Sequence, residues 1–304
     1  MHGWESVMSW TTADLLTAIK NSQMFPDAST GSLSSPALLQ YATEELHITI
    51  APLILSVREK YYETYQDTAY TTLTTSIPIP ARALAGAVSV VQYLFGTDIR
   101  VLEPIDPGTI ATTQGTSEPT NFYFQNNNII PYPPPSASQG TVRQRYFQRP
   151  NRLAQITDCA QITAFNAGTG VATCAPPTTW TTSNIFDFIP QTASQATPYN
   201  LGAVITAISS TTMSFTLTAA QAALVSVGDW IALAEYTPIP EMPYELQPVL
   251  IQATACRALA ALNDQTALVS AKAILNELKT SAKSLLAPRA QGGNKRVVSN
   301  WRRF

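Results

Sequence analysis

Apolar residues recur at two different periods along this chain, and the change of period divides it. Near the start, Leu15, Leu16 and Ile19 share one face of a helix expected over Thr12–Lys20, with Thr11 or Thr12 as N-cap and Asp14 near the positive helix end. A longer helix is predicted from Ser35-Pro36, a capping residue followed by proline at the first helical position. Leu38, Leu39, Ala42, Leu46, Ile50, Leu53, Val57 and Tyr61 keep its spacing, and Pro52 inside the run is expected to kink or divide it. Glu59-Lys60-Tyr61-Tyr62 closes this block. At the other end, Glu245–Leu262 and Gln265–Leu286 read as an α-hairpin turning at Asn263-Asp264. Val249, Leu250, Ala253, Cys256, Leu259 and Ala260 form one stripe; Leu268, Ala271, Leu275, Leu278, Ala282 and Leu285 form the other. The many alanines let these helices approach closely.

Between the helical blocks the period falls to two. Thr71–Ile77 alternates and is rich in β-branched residues, whereas Ile77-Pro-Ile-Pro-Ala-Arg82 carries too much proline for a central strand. Ser89–Phe95 and Ile99–Ile105 flank a turn at Gly96-Thr97-Asp98. Asn121–Gln125 and Ile129–Tyr132 flank Asn126-Asn127-Asn128, where asparagine tolerates the left-handed conformation. Further strands are expected at Val142–Gln148, Leu153–Phe165, Gly170–Ala175, Asn184–Ile189, Leu201–Ile208, Met213–Leu217 and Trp230–Ala234, with one helical turn within Thr218–Val225. Strands this short and evenly spaced point to an antiparallel sandwich or barrel. Two proline-rich segments, Ile77-Pro-Ile-Pro80 and Thr237–Pro243, fit the crossings between helical and β layers. The expected fold is therefore α+β. Residues 1–70 and 238–288 make a helical bundle, residues 71–237 an inserted β-domain, and residues 289–304 a C-terminal arm.

Composition narrows the functional classes. Only 12% of the 304 residues are charged, about half the usual share, while Thr, Ser, Ala, Asn, Gln and Pro are plentiful. Such a surface suits a protein that hides much of itself against neighbours, and equally a secreted β-protein. The net charge of −2 implies no general affinity for nucleic acid. Cys159, Cys174 and Cys256 have no metal-ligand spacing and read as buried free thiols. The start lacks the pattern of a signal peptide, and no stretch of about 18 apolar residues exists. These features predict a soluble chain made in a reducing cytoplasm.

Catalytic motifs are absent from the sequence: it has no glycine-rich phosphate loop, no Gly-x-Ser-x-Gly and no His-Glu-x-x-His. Glu44 and His47 have the i, i+3 spacing of di-metal bundles, but the second copy such a site requires is missing. Asp98, Glu103 and Asp106 are the densest acids of the β-region, where turns commonly carry acids. No catalytic, cofactor or metal residue is nominated. Phe122, Tyr123, Phe124, Tyr132 and Tyr146 are grouped as a sugar-binding surface would be, although alternation sends about half of them inward.

The tail differs from the rest. Residues 289–304 follow the Pro288 that stops the last helix, include a Gly-Gly spacer at 292–293, and hold five of the 18 basic residues and no acid. Nucleic-acid binding, a solvated terminus and a docking peptide are all open readings. Docking is favoured because apolar Val297, Val298, Trp301 and Phe304 are interleaved with Arg289, Lys295, Arg296, Arg302 and Arg303.

Several segments in their order resemble a family: Ile77-Pro-Ile-Pro-Ala-Arg82; Asn121-Phe-Tyr-Phe with Ile129-Ile-Pro-Tyr-Pro133; Arg143-x-Arg-Tyr-x-x-Arg-Pro150; Val227-Gly-Asp-Trp-Ile-Ala-Leu-Ala234; and Pro238-x-Pro-x-x-Pro-x-Glu-Leu246 with Leu285-Leu-Ala-Pro-Arg289. They are similar to head-to-tail connector proteins, the neck adaptors of tailed double-stranded DNA bacteriophages, over most of the chain. The resemblance implies a non-enzymatic virion protein, made in the host cytoplasm and located in the phage neck. It implies a homo-oligomeric ring, a dodecamer, beneath the portal protein. Such a ring extends the DNA channel without sequence-specific contacts, offers the attachment surface for tail or nozzle proteins, and involves no cofactor and no membrane. By the same resemblance residues 289–304 are a portal-docking arm. The alternative is a virion or surface binding module whose β-domain recognises a tail protein or a glycan, which calls for Tyr123, Tyr132 and Tyr146 on one exposed face. A cell-wall hydrolase ranks third, for want of a catalytic constellation.

Overall fold

Thr11 starts the first helix, α1 (Thr12–Lys20), in the computed structural model, which describes residues 10–22, 33–71, 76–109, 118–134, 140–191 and 199–286. Its hydroxyl accepts from the Asp14 N–H while the Asp14 carboxylate accepts from the Thr11 N–H at 2.9 Å, a reciprocal cap contributing about 1 kcal/mol. The long helix begins as α2 (Ser35–Glu45), widens into a π-turn at Leu46–Ile50, and ends as α3 (Ala51–Leu55). Pro52 explains the widening. Its ring crowds the carbonyl one turn back and it has no N–H to give, so the Ala51 N–H bonds Leu46 O and the helix continues instead of breaking. After the single turn α4 (Ala219–Ala222) come α5 (Gln247–Ala261) and α6 (Gln265–Leu286), with Asn263 in the left-handed conformation between them at φ 59°.

Both ends of the chain share one core. Leu15, Ile19, Leu38, Leu46, Ile50 and Ile54 pack with Leu250, Leu259, Leu268 and Leu275, all nearly or fully buried. Each such side chain contributes roughly 1.5–3 kcal/mol. Arg257 of α5 pairs with Glu44 and, at 2.9 Å, with Glu45, closing one side of the bundle.

Eight strands follow between residues 63 and 148: β1 (Glu63–Ala69), β2 (Ile77–Pro78), β3 (Ala83–Phe95), β4 (Asp98–Val101), β5 (Glu103–Pro104), β6 (Asn121–Gln125), β7 (Asn128–Tyr132) and β8 (Thr141–Gln148). They form two four-stranded sheets ordered β1-β8-β3-β4 and β2-β7-β6-β5. Tyr70, Ile77, Val91, Tyr93, Phe122, Ile129, Val142 and Tyr146, drawn from both sheets, make one cluster. The proline-rich Ile77–Pro78 occupies a sheet edge, where a missing N–H costs least. Asn126 and Asn127, at φ 47° and 61°, close the β6–β7 hairpin.

The remaining strands are β9 (Arg152–Leu153), β10 (Ala160–Gln161), β11 (Ala164–Asn166), β12 (Val171–Thr173), β13 (Ile185–Ile189), β14 (Tyr199–Ile208), β15 (Thr212–Phe215), β16 (Trp230–Leu233) and β17 (Tyr236–Thr237). Seven of them form an antiparallel sheet ordered β10-β16-β13-β14-β15-β12-β11 over Phe186, Phe188, Met213, Phe215 and Ile231. Its outer strands, Ala160–Gln161 and Ala164–Asn166, are consecutive in the chain. A flat sheet of this many strands is about 29 Å wide, so this one curls until its edges nearly meet. The Ile162 N–H bonds Asp229 O, continuing the β10–β16 pairing, and the Thr163 N–H bonds Thr173 O, continuing the β11–β12 pairing, both at 2.8 Å, so two consecutive residues link the outer strands. No sheet closes among the described residues. A single strand expected over Leu153–Phe165 is instead three short ones, because this stretch pairs in turn with β17, β16 and β12. No helix of the described residues is long and apolar enough to cross a membrane.

Candidate functional site

Four polar side chains meet where the helical core and the two β-regions touch. Asp187, in the middle of β13 and fully buried, accepts from the two terminal guanidinium nitrogens of Arg82 at 2.7 and 2.9 Å. It also accepts from Asn151 Nδ2 at 3.1 Å and from the Gly202 and Glu235 N–H groups at 2.9 Å. Glu241, 2% exposed, accepts from the Asn151 N–H at 3.0 Å, and its carbonyl accepts from Tyr62 Oη at 2.7 Å. Burial, seconded by the Asp187 charge and opposed by the Asn151 N–H and Arg82, pushes the Glu241 carboxyl up to about 8. At neutral pH it therefore keeps its proton, and Arg82 with Asp187 leaves the cluster uncharged. Such a cluster fixes three regions relative to one another. Its two carboxyl groups are closed to solvent, and Arg82 is 14% exposed.

Two adjoining clefts, about 540 and 320 Å³, run along the long helix and share Pro36, Leu153 and Tyr236. The larger is polar. His47, in the π-turn, lies with Nε2 2.8 Å from Pro150 O; a carbonyl can only accept, so Nε2 carries the hydrogen. Burial lowers the imidazole below its ordinary value. Glu44 is held by Arg257, and Arg149 pairs with Glu235 at 3.3 Å. The acid and imidazole of the Glu44–His47 pair thus turn to different partners. Among the described residues no three of His, Cys, Asp and Glu gather as metal ligands.

A third cleft, about 390 Å³, opens at a sheet edge and is lined by Val88, Val90, Val101, Phe122 and Phe124, with Glu103 at its rim. β4 pairs with β3 only over Gln92–Phe95, and the last bond on that side runs from the Leu102 N–H to Val91 O at 2.9 Å. The chain then leaves for the other sheet as β5. Among the described residues no strand covers β3 ahead of that point on this side. The uncovered stretch bulges, with Ala85 at φ 55° and Gly86 at φ 66°. A non-glycine residue in that conformation costs of the order of 1 kcal/mol.

The residues singled out in the sequence fare differently. Every arm residue, Arg289, Lys295, Arg296, Val297, Val298, Trp301, Arg302, Arg303 and Phe304, lies outside the described residues, as does most of the strand expected at Thr71–Ile77. Asp98, Glu103 and Asp106 are exposed along β4 and the exit from it. Tyr123 and Tyr132 share a face of the β6–β7 hairpin, but Tyr146 is 5% exposed and points into the core, so the three tyrosines form no common surface. All three cysteines are free and buried, and burial lifts the Cys159 thiol to about 12 and the Cys174 thiol to about 11. The Arg82–Asn151–Asp187–Glu241 cluster escaped sequence reading. Its one visible signal is a lone charge in each proline-rich crossing segment, Arg82 after the first and Glu241 within the second. No protein-family model matches the chain, and no match is found among curated proteins.

Proposed function

We propose that this protein is a structural virion subunit, a head-to-tail adaptor that forms a ring beneath the portal and extends the DNA channel. The observation that carries this reading is the pattern of polar chemistry. Buried acids are spent on internal partners, Asp187 on Arg82 at the module junction and Asp229 on the Tyr199 hydroxyl and the Gln191 and Ser226 N–H groups inside the curled sheet, while large apolar side chains stand exposed on opposite kinds of surface. Ile48, Val269 and Leu285, 65%, 70% and 55% exposed, lie on bundle helices; Ile99, Val101 and Phe124 lie on the first β-region. A ring subunit needs neighbours on two lateral faces and on both rims, and a low-charge surface with separate apolar faces suits it. In this reading the strands from Glu63 to Gln148 form a small sandwich and the curled sheet a small barrel, directed towards the tail or nozzle proteins. The bundle faces the portal, and residues 289–304 dock on it. Each arm need bind only weakly, because ring-to-ring contact is multivalent.

Native mass measurement of the chain, alone and co-expressed with a portal protein of the same phage, tests the reading. A complex with many copies per portal ring, lost on deleting residues 289–304, is expected. A monomer indifferent to the portal refutes it.

A further inference from the structure

We propose that the C-terminal arm of this chain, residues 289–304, docks on the chain's own body along the open edge of β3, with Val297 and Trp301 in the slot lined by Val88, Val90 and Phe124. The slot has the form of a missing strand. It continues the line of β4 past Val101, where β4 ends and the chain turns away to the other sheet. An extended peptide there would gain backbone hydrogen bonds from β3 and seat alternate side chains against the apolar wall. Val297 and Trp301 are four residues apart and so share one face of a strand, with the small Ser299 between them.

Charge favours the same occupant. The rim carries Glu103, with Asp98 along β4 and Asp106 beyond β5, all exposed. The arm is the one stretch of the chain with five cations and no acid, and its cations alternate with its apolar residues. Oppositely charged rims around an apolar centre set register and exclude wrong partners.

The arm also starts near enough. α6 ends at Leu286, whose carbonyl accepts from Arg58 Nε at 3.3 Å. Arg58–Tyr61 closes a turn through the Tyr61 N–H, which keeps its ends within about 7 Å. Three extended residues lead on to Thr64, and Thr64 is in register with Tyr146, which is in register with Val88. Two strand spacings of about 4.8 Å separate Thr64 from Val88. The path places Val88 within about 35 Å of Leu286, and the chain from Leu286 to Val297 can span about 36 Å. This inference stands apart from the virion reading; if the arm also grips a portal, the slot is where it rests beforehand.

Hydrogen exchange on the full chain without any portal, compared with a chain ending at Pro288, tests it. The amides of residues 86–90 should exchange about tenfold or more faster once the arm is gone, and the Glu103→Lys full chain should show part of that rise at low salt. Far-UV circular dichroism confirms that each body is folded. Equal exchange with and without the arm overturns the proposal, leaving the slot empty or filled by residues 110–117. Protection that fades on dilution also overturns it and assigns the slot to a second copy. Either failure leaves the portal experiment untouched, since that reads co-assembly.

Discussion

Replacing Glu241 by glutamine removes a titration from the buried cluster and little else. The carboxyl is 2% exposed, faces the Asp187 charge, and is held up to about 8 against an ordinary 4.5. Between those values the folded state keeps a proton that the unfolded state has released. Stability therefore falls as pH rises from about 4.5 and levels off above about 8. At about 1.4 kcal/mol per unit, the penalty is about 3 kcal/mol at pH 7 and about 5 kcal/mol well above pH 8. Glutamine never pays it, and its Oε1 keeps accepting from the Asn151 N–H that now bonds Glu241 at 3.0 Å. Urea denaturation followed by tryptophan fluorescence should show Glu241→Gln within about 1 kcal/mol of the parent at pH 5 and about 3 kcal/mol more stable at pH 7. His47, lowered by burial, titrates in both proteins and cancels from the difference. Parallel pH profiles, or a variant weaker than the parent at pH 8, refute the reasoning.

Asp187→Ala should be more damaging, about 3 kcal/mol at neutral pH, because it leaves the partly buried Arg82 guanidinium and Gly202 and Glu235 N–H groups without their acceptor; thermal denaturation measures it. Gly170→Ala should cost about 3 kcal/mol in the same assay, since the residue sits at φ +67° and a Cβ there would lie 2.4 Å from Phe215 O. Arg257→Ala should cost no more than about 1 kcal/mol, its ion pairs being about one-third exposed on the Arg257 side, and a loss above 3 kcal/mol would contradict that weighting.

Elements that bury one face were legible before the structure. Thr12–Lys20 and Gln265–Leu286 have the bounds their apolar spacing indicates, and Asn121–Gln125 follows from alternation beside an asparagine turn. β1 was not, and sits in residues read as the end of the helical block. Glu63-Thr-Tyr-Gln-Asp-Thr-Ala69 buries neither face deeply, and Tyr65 lies 54% exposed beneath the Arg143 guanidinium, 4.1 Å from the ring centre. A strand held by its neighbours' hydrogen bonds leaves no hydrophobic period. The segment from Leu153 to Phe165 misled for another reason: its β-propensity is real, but three partners claim it in turn. The buried cluster was hidden because Arg82, Asn151, Asp187 and Glu241 are scattered over 160 positions and become neighbours only through tertiary structure. Of the two proline-rich segments read as crossings between layers, Thr237–Pro243, which holds Glu241, does lead from β17 into the helical block, whereas Ile77-Pro-Ile-Pro80 begins with β2 inside the β-region that the chain enters at Glu63.

The parallel pairing of Arg152–Leu153 with Tyr236–Thr237 has an evolutionary consequence. The chain departs into the curled sheet and comes back within one strand spacing, so everything between is a segment whose two ends already touch. Such a segment can lengthen, shrink or be exchanged between lineages without repacking the bundle, since the host structure feels only the distance between its ends. Of the buried cluster, only Asp187 would leave with it, while Arg82, Asn151 and Glu241 would stay behind. Natural variation in this protein's length is expected to concentrate between Leu153 and Tyr236.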